Sequence, residues 1–306
     1  MDFSRRVRDC RTVFPRSRRR PVPAATAAVA ALALASAGCF DHAKPREEVV
    51  AGTMAEAAAN AAGVTFLDLH LDESLAAFPE GLGAFPALRR LSVRGRRSAA
   101  AIPPSLAEAA GLEELDLAGT GVSELPDVFA SMKALRNLYL SDNDLRRLPE
   151  AILKAPALEY LNLDRNALES LPDGIGALSS LKWLRLNGNR LSDLPASASR
   201  LTNVRRLYLR GNGLERVPDA VLAMDGLEEL DLGDNNLVEL PEALFRLPRL
   251  RRLDLDGNAA LSRLPDNIGE AKALTHLFVF RCALPQEEKD RIRAALPDPV
   301  RRFIAF

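Results

Sequence analysis

The chain has 306 residues, which is enough for one large domain or two ordinary ones with a substantial core. Its formal charge is zero, but residues 1–38 carry +6, and the rest, with 33 basic and 39 acidic side chains, carries −6. A body with net negative charge is poorly suited to nucleic acid, because phosphate recognition needs a positive surface. Three cysteines are too few for a disulfide scaffold or a four-thiolate zinc site.

The N-terminal segment, residues 1–38, predicts export from the cytoplasm. Eight arginines precede a run of fifteen uncharged residues, 24–38. This run is shorter than the roughly 20 apolar residues that a membrane-spanning helix needs. A basic flank, a short apolar run and small residues at its end are typical of a secretory signal peptide. We therefore expect residues 1–38 to be a signal peptide.

The end of this segment leaves the mode of processing open. Ser36-Ala37-Gly38-Cys39 resembles the lipobox of bacterial lipoproteins, although lipoboxes usually carry leucine where Ser36 stands. That resemblance implies lipidation of Cys39 and a cell-envelope protein attached to the membrane only through its lipid anchor. The small residues Ala35 and Ala37 also fit an ordinary cleavage site, which would give a secreted or periplasmic soluble protein. An uncleaved anchor or an organellar transit peptide is the third alternative.

From residue 64 onward a single pattern repeats. The preceding residues 39–63 are charged and then rich in alanine, and we interpret them as a linker or an N-terminal cap. The apolar residue that opens each Leu-x-x-Leu-x-Leu motif recurs every 23 or 24 residues. These opening residues are Val64, Leu88, Leu112, Leu135, Leu158, Leu181, Val204, Leu227, Leu250 and Leu274. About ten units with a period in this range predict a solenoid.

The unit that begins at Leu158 shows what each position does. Leu161 and Leu163 alternate with polar residues, as in a short strand with one buried face. One unit cannot bury its own leucines, so neighbouring units must stack. An asparagine at the position of Asn166 supplies both a donor and an acceptor to the backbone of the turn. A proline at the position of Pro172 stiffens the start of the return arm and is expected to block helix there.

These features resemble the leucine-rich repeat of the 23-residue Leu-Pro type, found in Ras-group proteins and many bacterial proteins, over residues 64–285. The resemblance implies an α/β solenoid, a leucine-rich-repeat horseshoe with a parallel concave β-sheet of about ten repeats. Residues 286–306 predict a C-terminal cap helix and an apolar tail. Arg96 stands in the asparagine position of the second unit and is not expected to replace the amide, so we expect an irregular unit there.

The sequence offers little for catalysis. His70 and His276 lie in the first and last units, roughly 40 Å apart at about 4.8 Å per strand, so they cannot share a site. Cys282 occupies the asparagine position of the last unit. Some bacterial leucine-rich effectors are cysteine-dependent ubiquitin ligases, but they carry a large catalytic domain after the repeats. We predict a protein that is not an enzyme, binds no metal and needs no cofactor.

The outward-facing side chains of the strands carry the functional information. All three tyrosines and the only tryptophan fall there, in four consecutive units, with three arginines beside them. We name the following seven residues the concave patch: Tyr139, Tyr160, Trp183, Arg185, Arg206, Tyr208 and Arg210. Tyrosine, tryptophan and arginine dominate binding hot spots. The simpler alternative is that aromatic residues favour strands in general.

Three functional hypotheses follow from this surface. The first is a non-enzymatic module that binds a protein or peptide partner on its concave face, with acidic flanks that orient the partner. The second is a cell-envelope protein that binds glycan or peptidoglycan, since sugar rings also stack on tryptophan and tyrosine. The third is a structural lipoprotein whose repeats only display a surface. Ras-group relatives bind small GTPases, which an exported protein would not meet, so the resemblance does not identify the partner.

Overall fold

The structure, a computed structural model, describes residues 48–296 and 304–306. These residues form one sheet of twelve parallel strands that lie side by side in chain order. The strands are β1 (Val50–Ala51), β2 (Phe66–Asp68), β3 (Arg90–Ser92), β4 (Glu114–Asp116), β5 (Asn137–Tyr139), β6 (Tyr160–Asn162), β7 (Trp183–Arg185), β8 (Arg206–Tyr208), β9 (Glu229–Asp231), β10 (Arg252–Asp254), β11 (His276–Phe278) and β12 (Ile304–Ala305). The expected signal peptide and the expected lipidation site, Cys39, lie outside the described residues.

Short helices return the chain from the end of one strand to the start of the next. Two α-helices, α1 (Met54–Ala59) and α2 (Gln286–Ala295), lie before β2 and after β11. The 3₁₀ helices are Leu82–Ala84, Arg97–Ala99, Pro104–Ala109, Asp127–Ala130, Glu150–Lys154, Ile175–Ala177, Ala196–Arg200, Asp219–Ala223, Glu242–Arg246 and Asp266–Glu270. The ten strands β2 to β11 belong to the repeats, and β1 and β12 extend the sheet at its two ends.

The repeat prolines do not keep helix out of the return arm, contrary to the expectation from sequence. Pro126, Pro149 and Pro195 each lie immediately before the first residue of a 3₁₀ helix. At this position the missing N–H of proline is no loss, because the first N–H groups of a helix have no partner within it. Proline therefore sets where the short helix begins.

The core lies beneath the sheet as one continuous cluster. On β6, Leu161 is fully buried, while its neighbours Tyr160 and Asn162 are half-buried on the opposite face. The same alternation occurs on every strand from β4 to β9. Burial of one face, parallel pairing and stacking of successive units confirm the predicted α/β solenoid with a parallel concave sheet.

The asparagine column joins neighbouring units through their backbones. The side chain of Asn258 is fully buried, and its Nδ2 donates to the carbonyl oxygens of Leu232 (3.0 Å) and Leu255 (2.7 Å). Its Oδ1 accepts from the backbone N–H of Leu237 at 3.0 Å. One amide thus satisfies three backbone groups in the turn, as its donor and acceptor inventory allows.

Arg96 takes the donor role of the amide in this column, which was not expected, but it does not take the acceptor role, and the unit is irregular as expected. Its Nε donates to the carbonyl oxygen of Leu69 at 3.3 Å, which is the carbonyl that an asparagine would reach from the same position. The guanidinium supplies the donor but has no acceptor atom. In this unit a 3₁₀ turn, Arg97–Ala99, follows immediately.

The C-terminal end of the solenoid is closed by α2. Ile292 and Leu296 are buried against the last layer of leucines. The carboxylate of Glu288, also buried, accepts from the backbone N–H of Leu264 at 2.8 Å and pairs with Arg291 at 2.6 Å. The helix therefore covers apolar surface and also supplies an acceptor to a buried backbone N–H of the unit that begins at Leu250.

Candidate functional site

The concave patch occupies four adjacent strands, β5 to β8. The parallel register places Trp183 beside Tyr160 on one side and beside Arg206 on the other. In the next column Arg185 lies beside Tyr208. Equivalent positions of successive units are therefore neighbours, about 4.8 Å apart along the sheet. All seven residues that the sequence singled out lie on this one face or at its adjoining edge.

Three aromatic rings of the patch form a contiguous surface. The ring centres of Tyr139 and Tyr160 are 5.0 Å apart with an interplanar angle of 40°, and those of Tyr160 and Trp183 are 5.6 Å apart at 60°. These separations are in the favourable range for aromatic pairs. Burial raises the pKa of the Tyr139 and Tyr160 phenols. The rings are half-buried by each other and held in place.

Two arginines extend the aromatic surface through cation–π contacts. The guanidinium carbon of Arg206 lies 4.3 Å from the ring centre of Trp183, and that of Arg185 lies 5.1 Å from the ring centre of Tyr208. Both distances fall within the range of a cation–π interaction. The Tyr208 hydroxyl donates to Glu229 Oε2 at 3.0 Å. Burial, and then the charge of Glu229, raise the pKa of Tyr208 to about 12.

All three arginines of the patch also form ion pairs, which the sequence did not reveal. Arg185 pairs with Asp164 at 2.6 Å, and the side chain of Asp164 is only 1% exposed. Arg206 pairs with Glu229 at 3.1 Å. The positive charges of these arginines are therefore already paired with carboxylates. Their planar guanidinium groups are held in place by these carboxylates and by the aromatic rings.

Arg210 holds a cluster of acidic residues at the end of the patch. Its guanidinium contacts Asp231 at 3.1 Å and both Asp234 and Asp254 at 2.7 Å. These residues belong to three successive units of the sequence. They come together because β8, β9 and β10 pair in register. This arrangement joins the concave patch to the acidic residues of the next two strands.

A second aromatic group lies on β11 and was not among the residues singled out from the sequence. The ring of His276 stacks on Phe278, with centres 6.3 Å apart and planes at 11°, and Arg252 lies 4.3 Å above Phe278. Phe280 follows the strand and is 53% exposed. The sequence signal that could have found this group was present, because these residues occupy the same outward columns as the tyrosines.

The polar groups considered for catalysis have structural roles. The Cys282 thiol donates to the carbonyl oxygen of Leu255 at 3.3 Å, and burial raises its pKa to about 11, so it is a protonated thiol at neutral pH. His70 Nδ1 is hydrogen-bonded to Asp68 Oδ1 at 2.7 Å. Within residues 48–296 and 304–306, no group of three or more His, Cys, Asp or Glu side chains is placed to hold a metal ion.

Within residues 48–296 and 304–306, no helix is both long enough and apolar enough to cross a bilayer.

Residues 136–191, 156–214 and 202–259 match the family model described as leucine rich repeat. No curated protein matches the chain.

Several solved structures share the fold. A chain of the Toll–Spätzle complex of Drosophila is 27% identical, with a TM-score of 0.61 over 68% of this chain and 29% of that one. The functional domain of InlJ from Listeria monocytogenes is 18% identical, with a TM-score of 0.59 over 75% and 46% of the two chains. The ectodomain of the receptor kinase GASSHO1/SCHENGEN3 from Arabidopsis thaliana is 24% identical, with a TM-score of 0.52 over 73% and 33%. The chain spans less than half the length of each of these three.

Proposed function

Because this chain is a leucine-rich repeat protein, we propose that it is a non-enzymatic module that recognises a protein or peptide partner on the concave patch. One observation carries the proposal: Tyr139, Tyr160 and Trp183 form a contiguous surface on the solvent face of the sheet, where the core does not need them. Large aromatic side chains that cluster on an exposed face are typical of binding hot spots.

The fold supports a partner of this class. Leucine-rich repeats commonly serve as protein-binding scaffolds. Two of the structures with a similar fold are complexes, one of Toll with Spätzle and one of GASSHO1/SCHENGEN3 with CASPARIAN STRIP INTEGRITY FACTOR 2. These complexes support a protein or peptide as the partner of this chain, and the fold alone does not name which one.

The geometry of the patch also favours tight recognition. Each ring contacts a neighbouring ring or guanidinium, as Trp183 contacts both Tyr160 and Arg206. Side chains that are already fixed lose little conformational entropy when a partner binds. The carboxylates around the patch, such as Glu229 and Asp231, form a polar rim that would steer and orient the partner rather than supply most of the affinity.

The alternative function is recognition of a cell-envelope glycan or peptidoglycan. A sugar ring stacks on a flat and accessible aromatic face. Arg206 covers the ring of Trp183 at 4.3 Å, and Tyr160 meets the same ring at 60°, which reduces the flat surface that remains. This crowding favours a protein or peptide, whose side chains fit an irregular aromatic surface.

A capture experiment separates these functions. The immobilised full chain, a Tyr160→Ala/Trp183→Ala variant and a Leu71→Ala/Val238→Ala control are incubated with a cell-envelope extract of the source organism. Leu71 and Val238 are exposed apolar side chains outside the patch, 74% and 59% exposed. We expect capture that proteinase treatment of the extract abolishes, that the control retains and that the patch variant loses.

Two results of this experiment would contradict the proposal. Equal capture by the wild type and the patch variant would remove the concave patch from the interaction. Binding to purified cell wall that soluble muropeptide competes, together with insensitivity to proteinase, would establish the glycan alternative instead.

We also propose that the protein reaches the cell envelope as a lipoprotein with its lipid on Cys39. The support is the basic and apolar segment 1–38 followed by the lipobox-like residues before Cys39. The intact mass of the protein from the membrane fraction tests this: it should equal the chain from Cys39 plus acyl groups, and Cys39→Ala should abolish the added mass. An unprocessed chain in the cytosol would contradict it.

A further inference from the structure

A pocket opens on the concave sheet next to the concave patch, over β8 to β10. Its volume is about 310 Å³, and the backbone of Leu230 lies at its base. Tyr208 forms one wall, and Arg252, held over the ring of Phe278, forms the opposite wall. The face dips here because Asp231, which lies between these walls, has a shorter side chain than Tyr208 or Phe278.

Three carboxylates and one guanidinium line the pocket. The lining carboxylates are Glu229, Asp231 and Asp254, and the lining guanidinium is that of Arg252. Arg210 alone is shared by three carboxylates. Burial, and to a smaller extent the nearby charge of Asp254, raise the pKa of the Asp231 carboxyl.

We infer that this pocket receives one basic side chain, an arginine or a lysine, of the partner proposed above. The inference rests on the proposed function, since it assigns a chemical feature to the same partner. The positive head group would give Asp231 and Asp254, which share Arg210, a second cationic partner, and its aliphatic stem would lie against the ring of Tyr208. The volume, about 310 Å³, is sufficient for one long side chain.

The position of the pocket also sets a spacing in the partner. Trp183 lies on β7 and Asp254 on β10, three strands apart, which corresponds to about 14 Å at roughly 4.8 Å per strand. An extended segment that crosses the strands covers this distance with about four residues, at roughly 3.4 Å each. The partner segment therefore places an apolar or aromatic residue on the concave patch and a basic residue about four positions away.

Small probes test the pocket without knowledge of the partner. N-acetyl-arginine amide and the neutral N-acetyl-glutamine amide are titrated into the full chain, and the backbone amide resonances of Leu230 and of the distant Leu138 are followed by NMR. We expect a saturable shift at Leu230 with the arginine probe, at least about tenfold weaker binding of the glutamine probe, and weaker binding at high salt. Leu138 should not respond.

Two variants test whether the carboxylates of the pocket bind the arginine probe. Asp254→Asn should weaken the arginine probe about tenfold, while Asp173→Asn, an exposed carboxylate on a return arm, should not change it. Arg210 keeps Asp231 and Asp234 as partners in the Asp254→Asn variant, so the fold should be retained. If thermal unfolding shows otherwise, Asp231→Asn is used in its place.

Three results would overturn the inference: no saturable shift at Leu230, equal binding of the two probes, or equal binding by Asp254→Asn and the wild type. A shift of Leu230 with N-acetylglucosamine but not with the arginine probe would also overturn it. None of these results affects capture through Trp183 and Tyr160, so failure of the pocket is distinguishable from failure of the proposed function.

Discussion

The guanidinium of Arg206 lies over the ring of Trp183, with its central carbon 4.3 Å from the ring centre. The two residues are register partners on β7 and β8, and Glu229 on β9 fixes the other side of the guanidinium at 3.1 Å. Because these units have the same length, the ring of Trp183, the guanidinium of Arg206 and the carboxylate of Glu229 lie in one row across the sheet. This row is the reason that the concave patch is ordered before a partner arrives.

Removal of the guanidinium should uncover the ring. Trp183 is the only tryptophan, so the tryptophan fluorescence of the protein comes from this ring alone. In Arg206→Ala we expect acrylamide to quench the emission about twofold more efficiently, with a loss of stability of no more than about 1 kcal/mol, the usual size of a partly exposed cation–π contact. Arg205→Ala, an exposed arginine one residue away, is the control, and equal quenching in the two variants would refute the contact.

The buried asparagine column should be essential for stability. Asn258→Ala leaves the carbonyl groups of Leu232 and Leu255 and the N–H of Leu237 without their partner. At about 1 kcal/mol or more for each unsatisfied buried group, the free energy of unfolding should fall by about 3 kcal/mol. Urea denaturation followed by circular dichroism measures this.

An exposed asparagine provides the matched control. Asn203 makes one hydrogen bond, from Nδ2 to the carbonyl oxygen of Ser179, at the surface. Asn203→Ala should cost about 1 kcal/mol or less. Similar urea midpoints for the two variants would show that the buried column does not hold the turns together.

The tyrosines should resist ionisation and make stability depend on alkaline pH. Burial is the main cause that raises the pKa of Tyr139, Tyr160 and Tyr208, the last to about 12, whereas an unfolded tyrosine titrates near 10. Between about pH 10 and 12 the unfolded chain therefore loses protons that the folded chain keeps, so stability is fully present below pH 10 and declines above it.

Absorbance at 295 nm checks this titration. At pH 10.5 the native protein should show little tyrosinate, while the urea-unfolded chain shows more than half of its tyrosines ionised. Tyr208→Phe should remove the component near pH 12. A native titration curve that coincides with that of the unfolded chain would contradict the burial of these phenols.

Close contact between return arms should make one glycine irreplaceable. A methyl group on Gly176 would collide with the backbone oxygen of Ser197 in the next unit and approach Arg200 Cβ to 3.0 Å. Gly176→Ala should therefore lower stability by about 1–3 kcal/mol, the cost of overpacking. For Gly213, whose nearest such contact is Leu191 O at 3.8 Å, alanine should be neutral or slightly stabilising. Thermal melts compare the two, and equal effects would contradict the close approach.

The periodicity of the sequence was sufficient to predict the sheet and its columns. Because the units have 23 or 24 residues, the register follows from the alignment of the leucines, and the partners Tyr160, Trp183 and Arg206 follow from the register. The buried asparagines could be predicted for the same reason, since an amide repeated at one position of a turn has a backbone role.

Side-chain partners across several units could not be predicted in the same way. The contact of Arg210 with Asp234 and Asp254 depends on the reach and rotamer of a long side chain, and Arg96 reaches Leu69 for the same reason. Periodicity assigns a residue to a column but does not say which way a flexible guanidinium turns. The pocket beside Tyr208 depends on differences in side-chain length between adjacent units, which an average repeat conceals.

Site-specific photo-crosslinking tests whether the partner binds the concave patch. p-Benzoylphenylalanine is placed at Tyr160 on the concave sheet or at Arg200, an exposed position on a return arm, and the protein is irradiated in cells of its source organism. We expect a discrete protein adduct from position 160 that is absent from position 200 and is lost when Trp183→Ala is added. Adducts from position 200 alone, or an adduct at position 160 that survives Trp183→Ala unchanged, would contradict it.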